Sequence, residues 1–204
     1  MKLSHILYKV NDLNKGVNYF KNKGFNVEFG SRYQPHNALI YFSEGPYIEI
    51  IQNAPVSRFL KFILMLIGKR KLVNRFNSWD TSKEGFFEIC LENKKNNFNC
   101  EIEILKKNKQ KFFITSSKRS DPFGRLLKWR LLFPMENKIP FMMTYFNIDP
   151  KPKNYIHPNG VSRIERVIYG TEKKFIPILK KLCNDKVLII ERGLGVKSVS
   201  YDYK

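Results

Sequence analysis

Short stretches of alternating hydrophobic and polar positions recur along this chain, each followed by a turn or by a helical period. "LSHILYKV" at 3–10 alternates as a strand and carries His5 inside it. "DLNKGVNYFKNKG" at 12–24 reads as a helix: Asp12 caps it, Leu13, Val17 and Phe20 share one face, and Gly24 ends it. "FNVEFG" at 25–30, "NALIYF" at 37–42 and "YIEII" at 47–51 read as strands separated by turn residues, with Glu49 in an apolar setting. Residues 1–53 thus make one βαβββ unit.

The order recurs, which is the first thing to test in any chain of this length. "GFFEICLE" at 85–92 is a strand, "NFNCEIEILKKN" at 97–108 a helix, and "KFFITSS", "RLLKWRLLF" and "PFMMTYF" are strands ending near 146, so the second unit spans 84–147. A third start follows: "IERVIYG" at 164–170, a helix "EKKFIPILKKL" at 172–182, then "KVLIIERG" and "VKSVSYDY". It lacks a final strand and is an incomplete βαββ unit. The expected division is a domain over 1–150, with its two units linked by a helix at 56–75, and a Pro-rich connection plus the incomplete unit over 151–204. X-Pro steps in "IDPKPKNYIHPNG" favour extended or turn backbone there.

Composition narrows the class. The 204 residues are 43% hydrophobic with 17 Phe and 10 Tyr, enough for a substantial core and unlike a disordered chain. A net charge of +19 would suit nucleic acid, an anionic surface or an acidic ligand. The basic residues are spread along the chain, however, and there is no RNP-like or helix-turn-helix pattern, so no specific nucleic-acid partner is expected. Cys90, Cys100 and Cys183 are widely spaced without a CxxC, which suits reduced thiols in a cytoplasmic protein. The N-terminus runs straight into a strand pattern without a signal-peptide core. The greasiest run, "FLKFILMLIG" at 59–68, falls far short of the roughly 20 residues a spanning helix needs. It reads as a lid or packing element between units, as a helix on an anionic membrane aided by Lys69, Arg70 and Lys71, or as a homodimer contact. GxGxxG, P-loop, HExxH and GxSxG motifs are all missing.

A tandem βαβββ order with His on the first strand and Glu on the fourth resembles the vicinal oxygen chelate superfamily, and more narrowly its glyoxalase-like domain family. The matching pieces are "LSHILYKVNDL", "PHNALIYF", "YIEII", "GRLLKWRLLFP", "IPFMMTYF" and "HPNG", in this order over roughly 1–170. The resemblance implies an α+β fold in which two units form a cupped mixed sheet around a cleft. It brings His5 and Glu49 onto neighbouring strands facing one pocket, as catalytic candidates and ligands of a divalent ion (Zn, Ni, Mn or Fe) acting as a Lewis acid.

The second unit departs from that pattern. Glu88 is taken as the match to His5 and would be a third metal ligand; Met143 or Thr144 matches Glu49, and Arg166 matches His5 in the third unit. Other candidates carry two readings each. His36 and Asn37 are a pocket-rim pair or turn chemistry. Arg119 neutralises an anionic group or sits in a solvated hairpin beside Asp121. Trp129 stacks on a ligand or packs in the core. His157 lies at the cleft mouth or is a loop histidine, and Cys90 is a small hydrophobe lining the cleft. The function expected is binding of a small oxygenated molecule, either with metal-assisted isomerase, lyase or dioxygenase chemistry or as a metal-free binding or sequestering module.

Overall fold

A computed structural model describes residues 1–204. Its larger sheet contains β1 (Lys2–Lys9), β2 (Glu28–Phe29), β3 (Asn37–Ile40), β4 (Tyr47–Ile51), β5 (Gly85–Asn93), β6 (Phe112–Ser120), β7 (Leu126–Pro134) and β8 (Phe141–Thr144). The strand order is β2-β3-β4-β1-β5-β8-β7-β6. In each unit the first strand pairs in parallel with the fourth, and the two first strands, β1 and β5, pair antiparallel at the centre. The result is a curled, partly open half-barrel built from two βαβββ units, with an incomplete extra unit beside it.

The unit helices α1 (Leu13–Asn22) and α4 (Asn99–Lys107) bury their apolar stripes on one face of this sheet. Asp12 starts α1 by accepting a hydrogen bond from the Lys15 N–H at 2.9 Å. The third unit covers the same face. It consists of β9 (Val161–Thr171), a 3-10 turn, α5 (Ile176–Leu182), β10 (Leu188–Arg192) and β11 (Gly195–Tyr203). Its residues Ile164, Val167, Phe175 and Leu179 share one continuous core with Ile6, Ile48 and Ile89. The N-terminal ammonium donates to Leu182 O at 2.8 Å, and Leu3 N–H donates to the Asp185 carboxylate at 2.9 Å, tying the start of β1 to the end of α5.

Pairing in the third unit differs from that of the complete ones. β10 lies directly alongside β9 in parallel, and β11 takes its other edge. Without a fourth strand, the strand leaving α5 occupies the edge that a fourth strand fills elsewhere.

The concave face has its own core, roofed by the linker between units. This linker is two helices rather than the single helix predicted over 56–75: α2 (Arg58–Leu66) and α3 (Arg70–Thr81). Ser57 caps α2 through the Leu60 N–H, and Gly68 at φ +74° ends it with a left-handed turn that glycine adopts without strain. Leu64, Leu72, Val73, Phe76 and Trp79 pack down on Leu7, Cys90, Phe133 and Phe141. No helix of the fold is long and apolar enough to cross a membrane.

Candidate functional site

A cavity of about 550 Å³ lies between the concave face and α2–α3. Its lining is mixed. His5, His36, Asn37, Glu49, Ser117 and Arg119 supply polar groups, and Leu64, Phe76, Trp79, Phe133, Phe141 and Met143 apolar surface. Trp129 lies along its wall, edge-on to Phe146 at 5.2 Å.

His5 and Glu49 meet because β1 and β4 are parallel neighbours. His5 is in register with Tyr47, so Glu49 falls two residues further on the same face. His5 Nε2 stands 3.2 Å from Glu49 Oε2, and the imidazole stacks on Tyr47 at 4.7 Å with Phe141 edge-on at 5.7 Å. Glu49 Oε1 accepts from the Asn37 amide at 2.6 Å. Burial, reinforced by the positive charge of Lys151, pulls the His5 pKa down to about 3. Burial raises that of Glu49, opposed by the Asn37 hydrogen bond and the charge of Arg119.

Behind His5 the polar contacts continue. His5 Nδ1 lies 3.1 Å from Ser4 Oγ, which lies 2.6 Å from Glu92 Oε2. Adjacent strand residues normally face opposite ways. The register between β1 and β5 shifts between Leu3 and His5, and this bulge lets Ser4 reach the His5 ring. Burial raises the Glu92 carboxyl as well, opposed by Ser4 and Lys151. Two proton arrangements satisfy every contact. In one, His5 Nε2–H donates to ionised Glu49, Ser4 donates to Nδ1, and protonated Glu92 donates to Ser4. In the other, protonated Glu49 donates to Nε2, Nδ1–H donates to Ser4, and Ser4 donates to ionised Glu92. They differ by one proton moved from end to end of a four-residue chain.

Arg119 adds a cation to the lining. Its guanidinium donates to Gly30 O and, at 3.0 Å, to Tyr41 Oη, which leaves N–H groups free for another acceptor. Gly30 is a hub here. A Cβ on it would lie 1.8 Å from Asn37 Oδ1.

Six of the sequence-predicted residues, His5, Glu49, His36, Asn37, Arg119 and Trp129, therefore line one cavity. Two do not. Glu88 accepts from Tyr169 Oη at 3.1 Å and from Ile89 N–H at 3.0 Å, and faces the buried Arg75 guanidinium at 3.9 Å. His157 is buried on the opposite face among Phe25, Phe42 and Tyr155, with Nδ1 accepting from Asn26 N–H at 3.1 Å. Strand register explains the first correction. Met143 is two residues beyond Phe141, the partner of Cys90, as Glu49 is two beyond Tyr47, the partner of His5. Cys90, not Glu88, thus occupies the place of His5 in the second unit. Its thiol is held well above the usual thiol range by burial, with Glu92 and Glu49 adding to the effect. Thr144 is turned to the Arg130 N–H at 2.9 Å, and Arg166 is exposed on β9.

The chain matches the glyoxalase-like domain family over residues 3–179. It belongs to that family, within the vicinal oxygen chelate superfamily. This glyoxalase-like domain has the fold of a hypothetical protein from Staphylococcus aureus, at 19% identity and TM-score 0.65, with 96% of this chain and 88% of that one covered. It also resembles a xylose isomerase-like TIM barrel/4-hydroxyphenylpyruvate dioxygenase fusion protein, at 11% identity and TM-score 0.52, covering 98% of this chain and 36% of that chain. A methylmalonyl-CoA epimerase of Streptomyces coelicolor is similar at 13% identity and TM-score 0.42, over 71% and 96% of the two chains. No curated protein sequence matches the chain.

Metal-bearing members of the superfamily set the test for a divalent ion. In this glyoxalase-like domain no three His, Cys, Asp or Glu side chains converge. Glu88 is held by Tyr169 and Arg75, and Cys90 and Met143 supply a protonated thiol and a thioether in the second half-site. The donor set of His5 and Glu49 does not fit a three-ligand ion.

Sequence reasoning passed over Ser4, Gly30, Tyr41 and Glu92. Only the strand bulge and the approach of β6 to the loop at Gly30 bring them to the site. Neither leaves a periodic signal in the sequence.

Proposed function

We propose that this glyoxalase-like domain binds a small amphipathic molecule. Its oxygenated, anionic end meets Arg119, Asn37 and the His5–Glu49 pair, and its apolar body lies beneath α2 and α3. The observation that carries this reading is one cavity lined both by His5, Asn37, Glu49 and Arg119 and by the apolar side chains of Leu64, Phe76, Trp79, Phe133 and Phe141. Such sites use a few placed polar groups for orientation and apolar walls for affinity. Arg119 is the anchor, because a guanidinium with donors to spare matches a carboxylate or phosphate in two contacts.

Thermal stabilisation by carboxylates of increasing apolar length tests the proposal, since a ligand that binds only the folded chain raises its melting temperature. Straight-chain and aryl-alkyl carboxylates are expected to stabilise progressively with length, and their alcohol counterparts less. Arg119→Gln should remove the difference between acid and alcohol. Absence of stabilisation by every member of both series would overturn the reading.

Metal-assisted isomerase, lyase or dioxygenase chemistry is the second reading, favoured by the pairing of His5 with Glu49. Elemental analysis after loading with zinc, nickel, manganese or iron decides between them. A stoichiometric ion lost in Glu49→Gln would establish the metal site and replace the metal-free account.

A further inference from the structure

The outer face of α2 is out of keeping with a helix whose surroundings are only water. Leu64 is its one buried residue. Phe59 is 73% exposed, Phe62 53% and Leu66 68%, and these positions follow the i, i+3, i+7 spacing of a single stripe. Met65 and Ile67 extend the patch, at 46% and 58% exposure. Scattered apolar side chains on a surface need no explanation, but a contiguous aromatic and aliphatic stripe on one short helix does.

Charge decides what covers it. From Pro55 to Trp79 the chain contains no acidic residue. Arg58, Arg70 and Lys71 are exposed around the patch, and Lys69 sits at the turn between α2 and α3. A second copy of this chain would bring the same positive field against itself, in a protein already at +19. A bilayer with anionic headgroups instead offers negative charge at the rim and hydrocarbon at the centre.

We infer that α2 docks this protein on anionic membrane surfaces, with Phe59, Phe62 and Leu66 inserted at the headgroup–acyl boundary and the flanking Arg and Lys residues on the headgroups. The opposite side of the same helix, through Leu60 and Leu64, roofs the cavity. Docking would therefore place the cavity roof against the lipid. This goes beyond the ligand reading above and does not depend on what occupies the cavity.

Vesicle flotation tests it, with vesicles of phosphatidylcholine alone or mixed with phosphatidylglycerol. The protein is expected to float with the anionic vesicles, to stay behind with the neutral ones, and to lose partitioning at high salt. Phe59→Asp/Phe62→Asp should lower partitioning on the order of tenfold or more, and Arg70→Glu/Lys71→Glu should weaken it as well. Both pairs of positions are exposed, so the melting temperatures of the variants should stay near the parent's and exclude unfolding as the cause. Flotation that is unchanged in Phe59→Asp/Phe62→Asp would assign binding to diffuse charge and overturn the docking site. Absence of flotation would overturn it too. So would a dimer in solution that Phe59→Asp/Phe62→Asp dissociates while leaving no vesicle binding in the parent, since that assigns the face to a second copy.

Discussion

His5 Nε2 lies 3.2 Å from Glu49 Oε2, yet the two do not form an ion pair. Burial, with Lys151 adding to it, holds the imidazole neutral down to about pH 3, and burial favours a proton on Glu49. In the unfolded chain the imidazole takes its proton near pH 6.5. His5 therefore contributes stability that is complete above 6.5, declines as pH falls through the window from 6.5 to about 3, and changes no further below it. Glu49 acts oppositely: its raised folded value gives stability that is complete below 4.5 and lost as pH rises through that value. The loss from His5 is steepest in the middle of its window, at no more than about 1.4 kcal/mol per pH unit. Urea denaturation at pH 7 and pH 5 is expected to show a smaller loss for His5→Gln than for the parent. His157, also lowered by burial, acts in the same direction in both proteins and cancels in the comparison. Equal losses would show that His5 does become charged in the fold.

Gly30 should accept no side chain. Its backbone N–H donates to Asn37 O at 2.9 Å, and a Cβ would stand 1.8 Å from Asn37 Oδ1. Gly30→Ala is expected to push the Asn37 amide off Glu49 and cost about 1–3 kcal/mol, the range for stranding a buried polar partner. Combined with Asn37→Ala, the same change should add little, because the clashing amide is gone. Fully additive costs in urea melts would place the strain in the backbone instead.

The sequence made the strands and unit helices legible because their periods are local. His5 and Glu49 could be placed together because parallel neighbours in a repeated unit share a face. What escaped depends on partners distant in the chain. α3 continues to Thr81 with Arg75, Phe76 and Trp79 buried, but Asn74, Asn77 and Ser78 dilute its apolar pattern, and a single helix over 56–75 seemed sufficient. Gly68 marks the break that reading ignored. Glu88 looked like a metal ligand by counting along the strand. Only the register that sets Cys90 opposite His5 shows the count to be two residues off. His157 is placed at the cleft mouth by the family resemblance of "HPNG" alone, and a four-residue match says nothing about which sheet surface the chain has just crossed.

Arg75 anchors the cavity roof, and the energetics of that anchor can be measured. Its Nη2 donates to Ile139 O at 2.7 Å, Glu136 O at 2.8 Å and Pro134 O at 3.2 Å, with Glu88 facing Nη1. Removing one partner of a buried charge pair leaves the other uncompensated, at roughly 3–5 kcal/mol. Arg75→Met should therefore destabilise severely, and Arg75→Met/Glu88→Gln should recover part of the loss. A double variant no more stable than Arg75→Met would mean the three carbonyl contacts, and not Glu88, carry the interaction.

Leu64 tests whether the cavity under α2 is the binding space or merely a packing gap. Its side chain is 7% exposed and lines the cavity. Leu64→Trp projects an indole into space that is already empty, so it avoids the overpacking cost that the same change brings in a filled core. It adds buried apolar area on folding, worth about 25 cal/mol per Å² removed from water. The variant should melt at or above the parent temperature and lose the stabilisation that long-chain carboxylates confer, because the indole occupies the volume their apolar bodies need. Short carboxylates, held mainly through Arg119, should bind much as before. Retention of the full chain-length dependence in Leu64→Trp would move the binding site out of this cavity, while a lower melting temperature with lost binding would show that the space closes in the folded protein.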